Sequence, residues 1–294
     1  MSKCTNCPRN CMVDRSKDKG FCKAGAKIKA ALASVHNFEE PCISGVNGSG
    51  TIFFTGCNLK CVYCQNYKIS DEMYGIELSI EKLALVMIKM QDMGVHNINL
   101  VTPTMYVESI IEVIKLARKK GLNIPIIYNT SGYESVEVIK KLEPYIDIYL
   151  PDFKYIDNEL AYKYSNVKDY FENVTKALIE MKRQKKDTFN KDGILTSGVI
   201  VRHMILPNNV ENSKNVIRWI KDNLGENTII SIMAQYFPTH KACEFEEINR
   251  KITKEELEEV ENFLFEQNML NGYIQELGGH EEEYVPEFNL ENLV

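Results

Sequence analysis

Apolar positions alternate between two rhythms along residues 46–276. Short, mainly apolar segments at 51–54, 97–101, 126–129, 147–150, 198–202 and 228–233 read as buried strands. Between them the spacing turns helical. Ile110, Val113, Ile114 and Ala117 share one face, and Lys119-Lys120-Gly121 supplies a basic last turn with a glycine stop. Thr253-Lys-Glu-Glu256 reads as a capping box that opens a helix burying Leu257, Val260 and Leu264. Regular β–α alternation predicts a parallel sheet with crossover helices. Six strands are too few to close an eight-stranded barrel, so the expected fold class is α/β, a partial (β/α)6-type parallel barrel. Its site should lie in the loops at the carboxyl ends of the strands.

The flanks lack this rhythm. Residues 1–45 are rich in cysteine and short of periodic segments, which suggests a small N-terminal metal-binding module. Residues 277–294 open on Gly278-Gly279 and carry Glu281, Glu282, Glu283, Glu287 and Glu291, which suggests an acidic C-terminal tail on the surface. The expected division is thus 1–45, 46–276 and 277–294.

Composition adds bounds. The 294 residues are 44% hydrophobic and 26% charged, ordinary for a globular chain. No uncharged apolar run reaches the length of a membrane span, and the first residues lack a secretory pattern, so a cytoplasmic protein is expected. A net charge of −6 disfavours nucleic acid as a partner. The one basic run, Lys182, Arg183, Lys185, Lys186 and Lys191, reads as a solvated helix end.

Eight of the nine cysteines fall in the first 64 residues, a clustering that reads as metal ligation and not as disulfides. Directly after the strand at 51–54, Cys57-x3-Cys61-x2-Cys64 places three thiols in one loop. Three thiolates leave one iron of a 4Fe-4S cluster without a protein ligand, open to the amino and carboxylate groups of S-adenosylmethionine. The alternative is a zinc knuckle completed by Cys42. At the N-terminus Cys4, Cys7, Cys11 and Cys22 form a second group. Its thiolates suit a structural zinc, a second iron–sulfur cluster or, failing both, reduced thiols.

The Cys57–Cys64 loop resembles the signature of the radical S-adenosylmethionine superfamily. The whole chain resembles the pyruvate formate-lyase activating enzyme branch, especially its homologues with an N-terminal Cys-Pro-Arg-Asn-Cys segment, here Cys7–Cys11. The resemblance implies that Asp152 and Lys154 of Asp152-Phe-Lys154 meet S-adenosylmethionine, Lys154 at its carboxylate. It adds Asn129 and Ser131, and one of Arg202 and His203, which point to opposite faces of a strand. Thr102-Pro-Thr104 departs from the Gly-Gly-Glu of the superfamily, so Thr102 and Thr104 bring no charge to the cofactor's ammonium. Gln235, Tyr236, His240 and His36 are candidates for the substrate side, and Cys243 is either buried or part of that side.

The implied activity is reductive cleavage of S-adenosylmethionine to a 5′-deoxyadenosyl radical that abstracts hydrogen from a substrate. That substrate is a glycyl radical enzyme or another polypeptide, with a small molecule or peptide as alternative. Electrons would come from a donor such as flavodoxin or ferredoxin. A non-catalytic iron–sulfur or zinc scaffold is the rival reading, and it needs only the cysteines.

Overall fold

The computed structural model describes residues 3–278 and 286–293. Among the described residues there are ten strands: β1 (Ile28–His36), β2 (Ser49–Phe54), β3 (Ile76–Leu78), β4 (Ile98–Val101), β5 (Ile126–Thr130), β6 (Ile148–Pro151), β7 (Thr188–Phe189), β8 (Leu195–Met204), β9 (Ile229–Met233) and β10 (Gly272–Ile274). They join in the order β10-β9-β8-β6-β5-β4-β2-β1-β3, with β7 beside β8. Every neighbouring pair from β2 to β10 along this path is parallel, while β1 and β3 run antiparallel at one edge. The path is open, and this is the partial parallel barrel that the β–α alternation predicts.

All six expected strands are present, with ends shifted by a few residues. β1 was hidden by its small residues, since Ile-Lys-Ala-Ala-Leu-Ala reads as readily as helix. It belongs to the sheet, although the sequence placed it in the Cys-rich flank. β3, β7 and β10 have only two or three residues, too few to show a period.

Both helices read from the sequence form as expected. Helix Val107–Lys119 buries Ile110, Val113, Ile114 and Ala117 against the sheet. Helix Lys254–Glu266 carries the Thr253–Glu256 capping box and buries Leu257, Val260 and Leu264. Their apolar faces join one large core on the outer side of the strands, where Ile126, Tyr128, Tyr149 and Val199 meet the helices. The alternate strand residues Ile127, Ile148, Leu150, Ile200 and Ile229 face inward. There they pack with Cys42 and Ile43 of the short helix Pro41–Ser44, which plugs one end of the barrel.

Lys182 and Arg183 end helix Tyr170–Gln184 and pair with Asp187, Glu180 and Glu143. Of the acidic tail, Gly279 and Glu281, Glu282 and Glu283 lie outside the described residues. Residues 286–293 pack along β1, with Leu290 N donating to Ala31 O (3.0 Å) and Phe288 edge-on to Phe53. Among the described residues no helix is long and apolar enough to cross a membrane.

Candidate functional site

The loop carrying Cys57, Cys61 and Cys64 leaves β2 at the carboxyl end of the parallel strands. Gly56 opens it at φ 96°, where a Cβ would meet Cys22 O at 2.8 Å. The loop is fixed from several sides. Asn58 is buried and donates to Tyr133 O (2.7 Å), Val62 N donates to Tyr164 O (2.8 Å), and Lys60 N donates to Ser165 O (3.1 Å). Tyr63 hydrogen-bonds Tyr155, which reaches Ser165 Oγ (2.8 Å), and Ser165 Oγ lies 3.0 Å from Cys61 Sγ. Ser70 Oγ stands 3.2 Å from Cys64 Sγ, and Leu59 N donates to Cys57 Sγ (3.4 Å).

Burial pushes the Cys57 thiol up to about 12 and the Cys64 thiol to about 11, and it raises Cys61 as well. Such thiols stay protonated unless bound metal supplies positive charge. Among the described residues no group of His, Cys, Asp or Glu is arranged to hold a single metal ion. The loop still fits an iron–sulfur cluster: it offers three thiols, with hydroxyl and backbone amide partners to their sulfurs.

Cys61 and Cys64 open onto a cavity of about 660 Å³, within the range for small molecules. Its walls carry Asn129 from β5, Asp152 and Lys154 from the segment after β6, and Arg202 from β8. Gly132 (φ 77°) lets the loops after β5 and β6 touch, since a Cβ there would lie 2.4 Å from Asp152 O. The wall groups form one chain of charge. Lys154 Nζ sits 2.7 Å from Asp152 Oδ2, and Arg202 Nε sits 3.0 Å from Asp152 Oδ1. Arg202 also donates to Asn129 Oδ1 (2.7 Å) and pairs with Glu39 Oε2 (3.3 Å). Burial disfavours the Asp152 charge, yet Lys154 and Arg202 hold this carboxyl below its ordinary value.

Several expected residues lie elsewhere. His203 is fully buried on the outer face, its ring bound to Phe153 O (2.7 Å) and Ser213 Oγ (2.8 Å). Strand alternation therefore gives Arg202 the cavity and takes His203 out of it. Thr104 is buried and its hydroxyl donates to Glu134, so it does not face the cavity. Thr102 adopts φ 56° and bonds Asn129 O through its backbone N (2.8 Å), and its side chain does not line the cavity. Ser131 packs beneath the loop, 3.4 Å from Asn58 Oδ1. His36 and Gln235 line the cavity. Tyr236 is buried and donates to Ile248 O, and His240 stacks on Tyr67 outside the cavity. Cys243 is exposed, and Cys42 lies in the plug, packed among barrel residues.

Cys4, Cys7 and Cys22 are buried and Cys11 half-buried, and Cys22 O lies against Gly56 at the start of the three-cysteine loop. Arg15, which the sequence did not mark, donates to Cys4 Sγ (3.0 Å) and Cys22 Sγ (3.3 Å). Burial pushes Cys7 up to about 12. Glu39 and Glu40 were also missed as cavity residues; their signal was an acidic pair in an otherwise apolar turn.

A family model described as "Radical SAM superfamily" matches residues 51–220. An uncharacterized protein of Methanocaldococcus jannaschii is 32% identical over 270 residues, covering 87% of this chain and 72% of that one. Pyruvate formate-lyase-activating enzyme of Clostridium pasteurianum is 25% identical over 193 residues, covering 63% of this chain and 74% of the enzyme. Among solved structures, Streptococcus suis SuiB bound to S-adenosylmethionine matches at TM-score 0.53 and 14% identity, over 80% of this chain and 51% of SuiB. The hydrogenase maturase HydG of Carboxydothermus hydrogenoformans matches at TM-score 0.54 and 14% identity, over 79% and 54%. The chain spans about half the length of these solved structures, and at such identity they show the fold alone. The matched family model covers more than half of the residues, including the three-cysteine loop and the Asp152–Lys154 segment, and the chain belongs to the Radical SAM superfamily.

Proposed function

We propose that this chain cleaves S-adenosylmethionine reductively at a 4Fe-4S cluster held by Cys57, Cys61 and Cys64, and abstracts hydrogen from a substrate in the barrel. The observation that carries the reading is that this thiol loop and the Lys154–Asp152–Arg202 chain open onto one cavity. When bound, the cluster and S-adenosylmethionine supply the electron and the 5′-deoxyadenosyl radical. The chain's own residues bind and orient. Lys154 offers a point charge to the cofactor's carboxylate, and Asn129 offers an amide beside it. Asp152 and Arg202 hold Lys154 and Asn129 in place through the bonds described above. Superfamily membership and the pyruvate formate-lyase-activating relative support this reaction class.

The substrate reaches the cavity as a polypeptide or a small molecule; SuiB, of the same fold, was crystallised with a precursor peptide. An electron donor of the flavodoxin or ferredoxin kind reduces the cluster. The test is anaerobic reconstitution followed by dithionite reduction. Formation of 5′-deoxyadenosine that is lost in the Cys57/Cys61/Cys64→Ala variant supports the proposal. Bound iron without any cleavage favours the non-catalytic scaffold.

A further inference from the structure

β1 runs antiparallel to β2, so residues 37–48 lie at the amino ends of the parallel strands, opposite the cysteine loop. The short helix Pro41–Ser44 closes that end, and Glu39 and Glu40 just before it line the cavity. They form its floor. Glu39 is committed to Arg202 (3.3 Å) and to Asn99 Nδ2 (3.0 Å). Glu40 is only 8% exposed, and its Oε2 has no donor. That orphaned acceptor faces a cavity and marks a missing donor, because an unpaired buried polar atom is costly. Charge agrees. The cavity carries three carboxyls, Glu39, Glu40 and Asp152, against two cationic side chains, Arg202 and Lys154. Neighbouring His36 adds nothing, since burial and Arg202 push it below its ordinary value.

We propose that this floor is a cation subsite, in which Glu40, held beside Glu39 and the Ser231 hydroxyl, receives the ammonium or guanidinium of the substrate. An ammonium or guanidinium carries N–H donors and no acceptor, which matches the orphaned Oε2. Burial pushes Glu40 up to about 7; Arg202 offsets part of this, Glu39 adds to the rise, and the Ser231 hydroxyl bond to the same carboxyl lowers it slightly. A bound organic cation would stabilise the carboxylate in their place. The cysteine loop at the opposite end belongs to the cofactors, so the floor falls to the substrate. This inference rests on the proposed function for the substrate's role, but the binding chemistry can be tested separately.

The test is calorimetric titration of the reconstituted protein, with S-adenosylmethionine present, using N-acetyl-lysine amide and N-acetyl-arginine amide. N-acetyl-norleucine amide and N-acetyl-citrulline amide serve as uncharged counterparts. We expect a cationic probe to bind about 10-fold or more tighter than its counterpart. That preference should vanish in Glu40→Gln and survive in Glu40→Asp, which keeps the charge and controls for folding. Equal binding of charged and neutral probes, no binding by either cation, or an unchanged preference in Glu40→Gln overturns the proposal. So does a Glu40→Gln variant that loses S-adenosylmethionine affinity without losing probe discrimination. 5′-deoxyadenosine formation measured in the same preparation reports on the radical reading independently.

Discussion

The N-terminal cysteine segment touches the Cys57–Cys64 loop at Gly56 and Asn58, but the two cysteine groups are held in different ways. Cys57, Cys61 and Cys64 hang from the end of a fully buried strand, and hydroxyls or an amide of the barrel meet their sulfurs. Cys4, Cys7, Cys11 and Cys22 sit in a segment without helix or strand, where Arg15 bridges two of the four sulfurs. The segment is tied to the barrel by single contacts. Asn6 donates to Met105 O (3.2 Å), and Arg9 donates to Asn58 O (3.0 Å) and Asn166 O (2.6 Å). A thiol placed by a rigid sheet can serve positional chemistry, whereas a segment with little core of its own depends on whatever its thiols bind.

The sharpest way to break this comparison is to remove one group and ask what remains. The Cys57/Cys61/Cys64→Ala variant should lose all 5′-deoxyadenosine formation, measured after dithionite reduction, and metal analysis of it then reports what the N-terminal group holds. About one zinc per chain fits a structural site there, and about four irons fit a second cluster. No metal at all would leave Arg15 as the organiser of that segment.

Lys154→Ala comes next. Loss of one charge-assisted hydrogen bond should weaken S-adenosylmethionine binding about 10- to 150-fold. Iron content should stay unchanged, because Lys154 is proposed to meet the cofactor and carries no thiol for a cluster. Wild-type affinity by calorimetry would remove Lys154 from the cofactor site.

Glu134 sits where the N-terminal segment meets the barrel and contributes to the upward shift of Cys7. Burial pushes its carboxyl from 4.5 up to about 7, against the Thr104 and Thr130 hydroxyl bonds that lower it. Between those values the folded chain binds a proton that the unfolded chain does not, so stability falls as pH rises through this window. The fall should amount to up to about 3 kcal/mol by denaturant titration. Glu134→Gln should flatten it, and an unchanged slope would contradict the assignment.

The smallest effect expected is that of Arg9→Ala. Removing its bonds to Asn58 O and Asn166 O should cost about 1–3 kcal/mol of stability. Hydrogen exchange should rise in residues 57–64 while β5 and β6 stay protected. Exchange rising equally throughout the barrel would show that the segment does not act locally.

Much of this protein is legible in its linear pattern. Apolar runs of strand length alternating with helical spacing specify the parallel sheet, and the Cys57–Cys64 spacing lies within one loop, so both survive without knowledge of the fold. Alternation along β8 also showed that Arg202 and His203 face opposite ways, yet which of them faces the cavity depended on which side the helices cover. The acidic pair Glu39-Glu40 fell within the Cys-rich flank, and Arg15 carried no signal there at all. Their roles arise from convergence between segments far apart in the chain: β1 folds back along β2, the turn after it dives into the barrel, and the segment carrying Arg9 and Cys22 settles on the loop after β2. Periodicity reports what one segment buries. Only the folded sheet decides which buried charges are left facing one another.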